Sequence, residues 1–190
     1  MALSSLDSRT ALIVIDLQQG IVTLPVAHPV DVVIANACQL ARAFRRHGLP
    51  VVLVNVAGVA PGRNEAPRRT GATPAGWSEL IAALERQPSD HTVTKHTWGA
   101  FTATDLHTYL QQQGITQVVI AGISTSIGVE STARQAQELG FNITLAVDAM
   151  TDMHLDAHQN SVTRIFPRLG ETGTSAQIIA LLNQRGTPAV

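Results

Sequence analysis

Four short apolar runs, "TALIVIDL", "LPVVLVNVA", "TQVVIAG" and "NITLAVDAM", are separated by segments with apolar residues at helical spacing. This alternation constrains the fold more than any other feature. Short runs rich in Val, Ile and Leu suit strands buried on both faces. Buried strands alternating with helices imply a mainly parallel sheet covered on both sides, an α/β class with a Rossmann-like sheet. In such sheets ligands bind beyond the carboxyl ends of the strands, where strand order reverses. The residues ending the strands are therefore the ones to inspect: Asp16, Asn55, Lys95, the 122–128 loop and Asp148.

The intervening segments fill in the pattern. "VDVVIANACQLARAFRRHG" reads as a helix stopped by Gly48, with Cys38 on its apolar face. "WSELIAALERQ" reads as a short helix, and "HTVTKHTWGAF" as a strand ending near Lys95. "TATDLHTYLQQQG" reads as a helix capped by Thr102 or Thr104. "GVESTARQAQELG" is helical, and "LDAHQNSVTRIFPRLG" is helical to about Pro167. A short strand near 171–173 precedes a last helix in "TSAQIIALLNQRG", and the tail "TPAV" reads as loose. The Gly-, Pro- and Arg-rich stretch 58–76 is a long loop, and loops of this length in compact domains often carry function.

The chain has 190 residues, which suits one domain, with its core spanning about residues 9–185. Hydrophobic residues make up 45% and charged residues 14%, enough to bury a substantial core. A net charge of -1 with no basic run argues against nucleic acid or an anionic membrane as partner. The single Cys38 cannot form an intramolecular disulfide, which fits a reducing compartment. The first residues lack a basic region before a strand-length apolar run, so neither a signal peptide nor a transmembrane helix is expected. The expected location is the cytoplasm.

A carboxylate closing a run such as "TALIVID" is costly to bury unless paired or hydrogen-bonded. Asp16 is therefore either a turn cap or an acid/base group tuned by burial and a nearby cation, and Lys95 is the candidate cation. The 122–128 loop offers backbone amides ahead of a helix, suited to an oxyanion or simply to a turn. It matches neither a dinucleotide fingerprint nor a P-loop. Glu130 and Arg134 are spaced for an ion pair on one helix. Arg63, Arg68 and Arg69 are candidate carboxylate binders or solvated loop residues. Seven histidines form no metal-ligand pattern, and His154 and His158, one turn apart, read as a surface pair.

Together, "ALIVIDLQQG", "VTKHTWGAFTATDL" and "VVIAGISTSIGVESTARQAQELGFNITLAVDAMTD" resemble the isochorismatase-like hydrolases, also called cysteine hydrolases. The resemblance runs in order from about Thr10 to Asp152. It implies a three-layer α/β/α fold with a site at the ends of strands one, three and four. Asp16 matches the family's catalytic Asp and Lys95 its catalytic Lys. Amidase members place a nucleophilic Cys after the fourth strand, where this chain has Gly128. The peptide after the first Gly of that motif is often cis in those amidases, which corresponds here to Ile123–Ser124. Ser124 and Gly128 would supply the backbone donors, and Gln18, Trp98, Phe101 and Thr125 complete the expected substrate pocket. The Asp-x-His metal pattern of nicotinamidases is replaced by "VNVAGVAPGRNE", so neither metal nor other cofactor is expected.

Isochorismatases proper cleave a vinyl ether with an Asp general acid and need no covalent nucleophile. The resemblance therefore favours Asp acid/base hydrolysis of a small, anionic substrate of vinyl ether type. A non-catalytic binding protein on the same scaffold and an amidase with another nucleophile stand as alternatives. The family also implies a homo-oligomer, dimer or tetramer.

Overall fold

The computed structural model describes residues 3–65 and 74–184. The elements follow in order as β1 (Thr10–Ile15), α1 (Gln19–Val22), α2 (Val30–Arg46), β2 (Val51–Val56), β3 (His91–Lys95), α3 (Leu106–Gln112), β4 (Gln117–Ile123), α4 (Glu130–Glu138), β5 (Asn142–Thr151), α5 (Leu155–Asn160), α6 (Phe166–Leu169), β6 (Glu171–Gly173) and α7 (Ser175–Gln184). A 3-10 turn spans Ala82–Leu84, and π-helical turns span Thr125–Val129 and Ser161–Ile165.

The six strands form one sheet in the order β3-β2-β1-β4-β5-β6, with every neighbouring pair parallel. Alternate residues of β1 serve opposite layers, as strand geometry requires. Leu12 and Val14 pack with Val33, Leu40 and Phe44 of α2 and Ile178 of α7. Ala11, Ile13 and Ile15 pack with Leu106 and Leu110 of α3, Ala133 of α4 and Phe166 of α6. The result is the three-layer α/β/α arrangement that the alternation predicts. Cys38 lies in the α2 core layer, as expected, with its thiol 3.1 Å from the Ala83 carbonyl. Gly48 ends the α2 region at φ +65°, a conformation that favours glycine.

Three local expectations need correction. Residues 77–87 do not form a helix beyond the 3-10 turn. Their backbone is engaged elsewhere: Gln19 N–H donates to Glu79 C=O, Gly20 N–H to Trp77 C=O, and Ile81 N–H to Leu17 C=O. Pairing with the chain beyond β1 thus replaces the internal bonds a helix would make. The α3 helix begins at Leu106 with Asp105 in the cap position, and the Thr104 hydroxyl accepts the Leu106 N–H at 3.4 Å. The helical region after β5 continues past Pro167 to Leu169, with Pro167 in the first turn of α6 directly after the π-helical turn. The tail "TPAV" lies outside the described residues. Among the described residues no helix is long and apolar enough to cross a membrane.

Candidate active site

The strand order reverses between β1 and β4: the chain runs outward from β1 through β2 to β3, then returns to β4 on the other side. Asp16 follows β1 directly and has φ +52°, unusual for a residue with a side chain and frequent at functional turns. Its N–H donates to Val54 C=O at 2.9 Å, and its C=O accepts the Gln18 N–H at 2.9 Å. Lys95, the last residue of β3, reaches it from two strands away. Its Nζ donates to Asp16 Oδ2 at 2.7 Å and to Thr97 C=O at 3.2 Å.

Both groups are secluded, with Lys95 2% and Asp16 5% exposed. Asp16 Oδ1 is buried and has no hydrogen-bond partner among the described residues. Burial pushes the Asp16 carboxyl up to about 6, although the charge and hydrogen bond of Lys95 pull it down. Desolvation therefore outweighs the ion pair.

β4 delivers the second half of the site. The Ile123–Ser124 peptide is cis, and the π-helical turn follows at once. Ser124 C=O accepts the Ile127 N–H at 3.2 Å and the Val129 N–H at 3.1 Å. Gly128 faces Asp16: a Cβ at this position would lie 2.9 Å from Ile15 Cγ2 and 3.3 Å from Asp16 Oδ2. Gly122 has a different constraint. Its φ is +122°, and a Cβ there would fall 2.0 Å from the Ile15 carbonyl oxygen, so β1 and β4 meet at a position that requires glycine.

These elements open on a cavity of about 1090 Å³ lined by Asp16, Lys95, Ser124 and Gly128. Trp77, Trp98, Val56, Ile123 and Ile127 contribute apolar wall, and Glu79 adds a carboxylate. Among the described residues Lys95 is the single Lys or Arg in the lining. Arg63 is exposed and does not line the cavity, while Arg68 and Arg69 lie outside the described residues. Among the described residues no group of three or more His, Cys, Asp or Glu side chains is placed to hold a metal ion.

The structure brings Asp16, Lys95, Ser124, Gly128 and Trp98 to one cavity, and it places three other expected pocket residues elsewhere. Gln18 is fully buried; its amide donates to Val56 C=O and Trp77 C=O and accepts the Val56 N–H. Phe101 belongs to the core layer and lies 6.1 Å from Phe141, ring to ring. Thr125 is fully buried, with its hydroxyl 2.8 Å from His158 Nδ1.

His158 is correspondingly a buried residue and not half of a surface pair with His154. Asp148 does not end its strand. Between the pairs Ile120↔Leu145 and Gly122↔Met150 the β5 strand bulges, and Asp148 bonds to Ser175 at the start of α7. The strand-ending carboxylate is Asp152, which follows Thr151 directly once the bulge has lengthened β5. Trp77 was hidden by its place in an expected helix. Glu130 and Arg134 pair as the spacing predicts, at 2.9 Å.

The isochorismatase domain family matches residues 10–177 of the chain. The chain is 43% identical over 182 residues to YecD, an isochorismatase family protein of Escherichia coli O157:H7, covering 91% of this chain and 96% of that protein. It is 40% identical over 181 residues to YwoC, an isochorismatase family protein of Bacillus subtilis, covering 90% and 93%. The solved structure of an isochorismatase family protein from Burkholderia thailandensis superimposes with a TM-score of 0.90 at 41% identity, covering 94% of this chain and 98% of that one.

Proposed function

The chain belongs to the isochorismatase family of hydrolases, and from that premise we propose that it hydrolyses a small substrate by Asp16 acid/base chemistry, without a covalent enzyme intermediate. The observation carrying this reading is the Asp16–Lys95 pair with Gly128 placed beside it. A carboxyl raised to about 6 sits where it can keep a proton near neutral pH, and the residue facing it has no nucleophilic side chain.

The favoured substrate is an anionic vinyl ether of isochorismate type. Asp16 gives its proton to the enolpyruvyl methylene carbon, and the C=C electron pair forms the new C–H bond. Water adds to the resulting oxocarbenium carbon and loses a proton to the Asp16 carboxylate. The hemiketal then collapses to pyruvate and an alcohol. Lys95 holds Oδ2, keeps the carboxyl oriented and offsets its charge once the proton has left. Backbone amides at Ser124 and Gly128 bind the substrate's carboxylate, and Trp98 shapes the mouth. The reaction as written uses no cofactor.

Release of pyruvate from isochorismate tests the reading. Asp16→Asn is expected to lower kcat/KM by about 10²–10⁴. No Asp16-dependent turnover would remove this substrate from consideration. The chain is also expected to form a dimer or tetramer in the cytoplasm, which light scattering and cell fractionation would check.

A further inference from the structure

The loop bearing Ser124 and Gly128 is held by polar groups that the proposed reaction does not use. β5 leads into Asp152, which is 1% exposed. Its Oδ2 accepts the Ser126 N–H at 2.7 Å and the Ser126 hydroxyl at 2.8 Å. Its Oδ1 accepts the His154 N–H at 3.4 Å, and its C=O accepts the Ala27 N–H at 2.8 Å. Farther along, in α5, His158 bonds the Thr125 hydroxyl. Its ring centroid is 4.6 Å from that of His28, whose Nδ1 lies 2.9 Å from the Thr151 hydroxyl.

The two residues that follow Ser124 are thus each tied to a buried side chain from one segment, 152–158. Removing a partner from such a set leaves a buried polar group unsatisfied, so the bonds define one loop position strongly. A carboxylate bonded to an amide at the start of a helical stretch also gains from the positive end of the helix. The far end of the loop is fixed as well. Gly128 C=O accepts the Thr132 hydroxyl at 2.7 Å, and Thr132 Oγ1 in turn accepts the Ala100 N–H at 3.2 Å.

We infer that Asp152 and His158 are positioning residues, which clamp Ser126 and Thr125 so that Ser124 and Gly128 stay against Asp16. Neither lines the cavity; both act through the loop. The inference rests on the proposed function in taking Asp16 as the acting group, but its test needs no substrate.

The test is a pH titration of the Asp16 carboxyl carbon by 13C NMR in the full chain. With the loop clamped, Asp16 stays desolvated; with the loop released, water reaches it and its midpoint falls. Asp152→Ala is expected to lower that midpoint by about one unit or more. Asp152→Asn carries no charge, but its amide oxygen can still accept both Ser126 bonds, losing only the long one from His154 N–H, so it should hold the wild-type midpoint within about 0.3 unit. Thr125→Val cuts the His158 bond alone and should give a smaller fall in the same direction. An unmoved midpoint in Asp152→Ala overturns the inference. So does an equal fall in Asp152→Ala and Asp152→Asn, which would trace the effect to charge. If Asp152→Ala does not fold, Thr125→Val decides: a fall supports the clamp and an unmoved midpoint overturns it. Absence of turnover would sink the proposed function alone and leave these midpoints readable.

Discussion

Lys95 Nζ meets Asp16 Oδ2 at 2.7 Å, although their strands are separated in the sheet by β2. A lysine leaving an edge strand is ordinarily solvated. Here its long side chain ends in a buried pair, where each charge is tolerable because the other is present.

Lys95→Met should therefore be strongly destabilising near neutral pH, by about 3–5 kcal/mol, because it leaves a buried carboxylate without its cation. The Asp16 midpoint should rise beyond its wild-type value of about 6, since the interaction that lowers it is gone. Urea denaturation at pH 5 and pH 8 checks both points. The loss should be smaller at pH 5, where Asp16 is protonated.

Asp16 itself makes stability depend on pH with a definite sign. Its carboxyl ionises near 4 in the unfolded chain and near 6 in the fold, so between those values the native state binds more protons. Stability from this group falls as pH rises through that window, and the loss is complete above about 6. Asp16→Asn has no such titration. Its stability relative to wild type should improve from pH 4 to pH 7 by on the order of 2 kcal/mol, read from paired denaturation curves. A change in the opposite direction would contradict the burial of Asp16.

Gln18 predicts a structural loss of another kind. Its amide makes three bonds to the Val56 and Trp77 backbone. Gln18→Ala should cost about 2–4 kcal/mol, through lost packing of a fully buried side chain and the half-buried Val56 N–H left without its acceptor. Trp77 fluorescence should change with it, while the Asp16 midpoint should move little.

Gly122 and Gly128 should tolerate a methyl group to different degrees. Gly122→Ala forces a Cβ onto the Ile15 carbonyl and should cost more than about 3 kcal/mol or prevent folding. Gly128→Ala places its Cβ 2.9 Å from Cγ2 of the fully buried, stiff Ile15, which must shift, so it should cost about 1–3 kcal/mol, less than Gly122→Ala. Gly128→Cys should yield a thiol that iodoacetamide alkylates with a midpoint below about 8.5, owing to nearby Lys95 and the backbone amides. An unreactive thiol would contradict the proposed donor geometry.

The sheet was legible in the sequence because its strands are buried on both faces and leave uninterrupted apolar runs, as β1 does from Thr10 to Ile15. Asp16 was legible because it stands where the apolar run of β1 breaks, and Gly128 because the resemblance places it at the nucleophile position of the amidases. Residues 77–87 misled because helical periodicity is a local signal, whereas their bonds go to Leu17, Gln19 and Gly20, far away in sequence. Gln18, Phe101 and Thr125 lie next to site positions, but adjacency along the chain does not fix side-chain direction. Asp152 escaped because the β5 bulge moves the end of the strand beyond Asp148, and a bulge leaves no hydropathy signal.

The strand order has a consequence for how activity can arise at all. Everything before the exposed turn at Gly114 supplies Asp16 and Lys95; everything after it supplies the Ser124–Gly128 loop and the side chains bonded to it. The two halves are joined in the sheet through the β1–β4 seam alone. Neither half holds both parts of the proposed site, so a truncated chain is expected to show no turnover. Separately expressed halves should become competent only by complementation, when that seam closes.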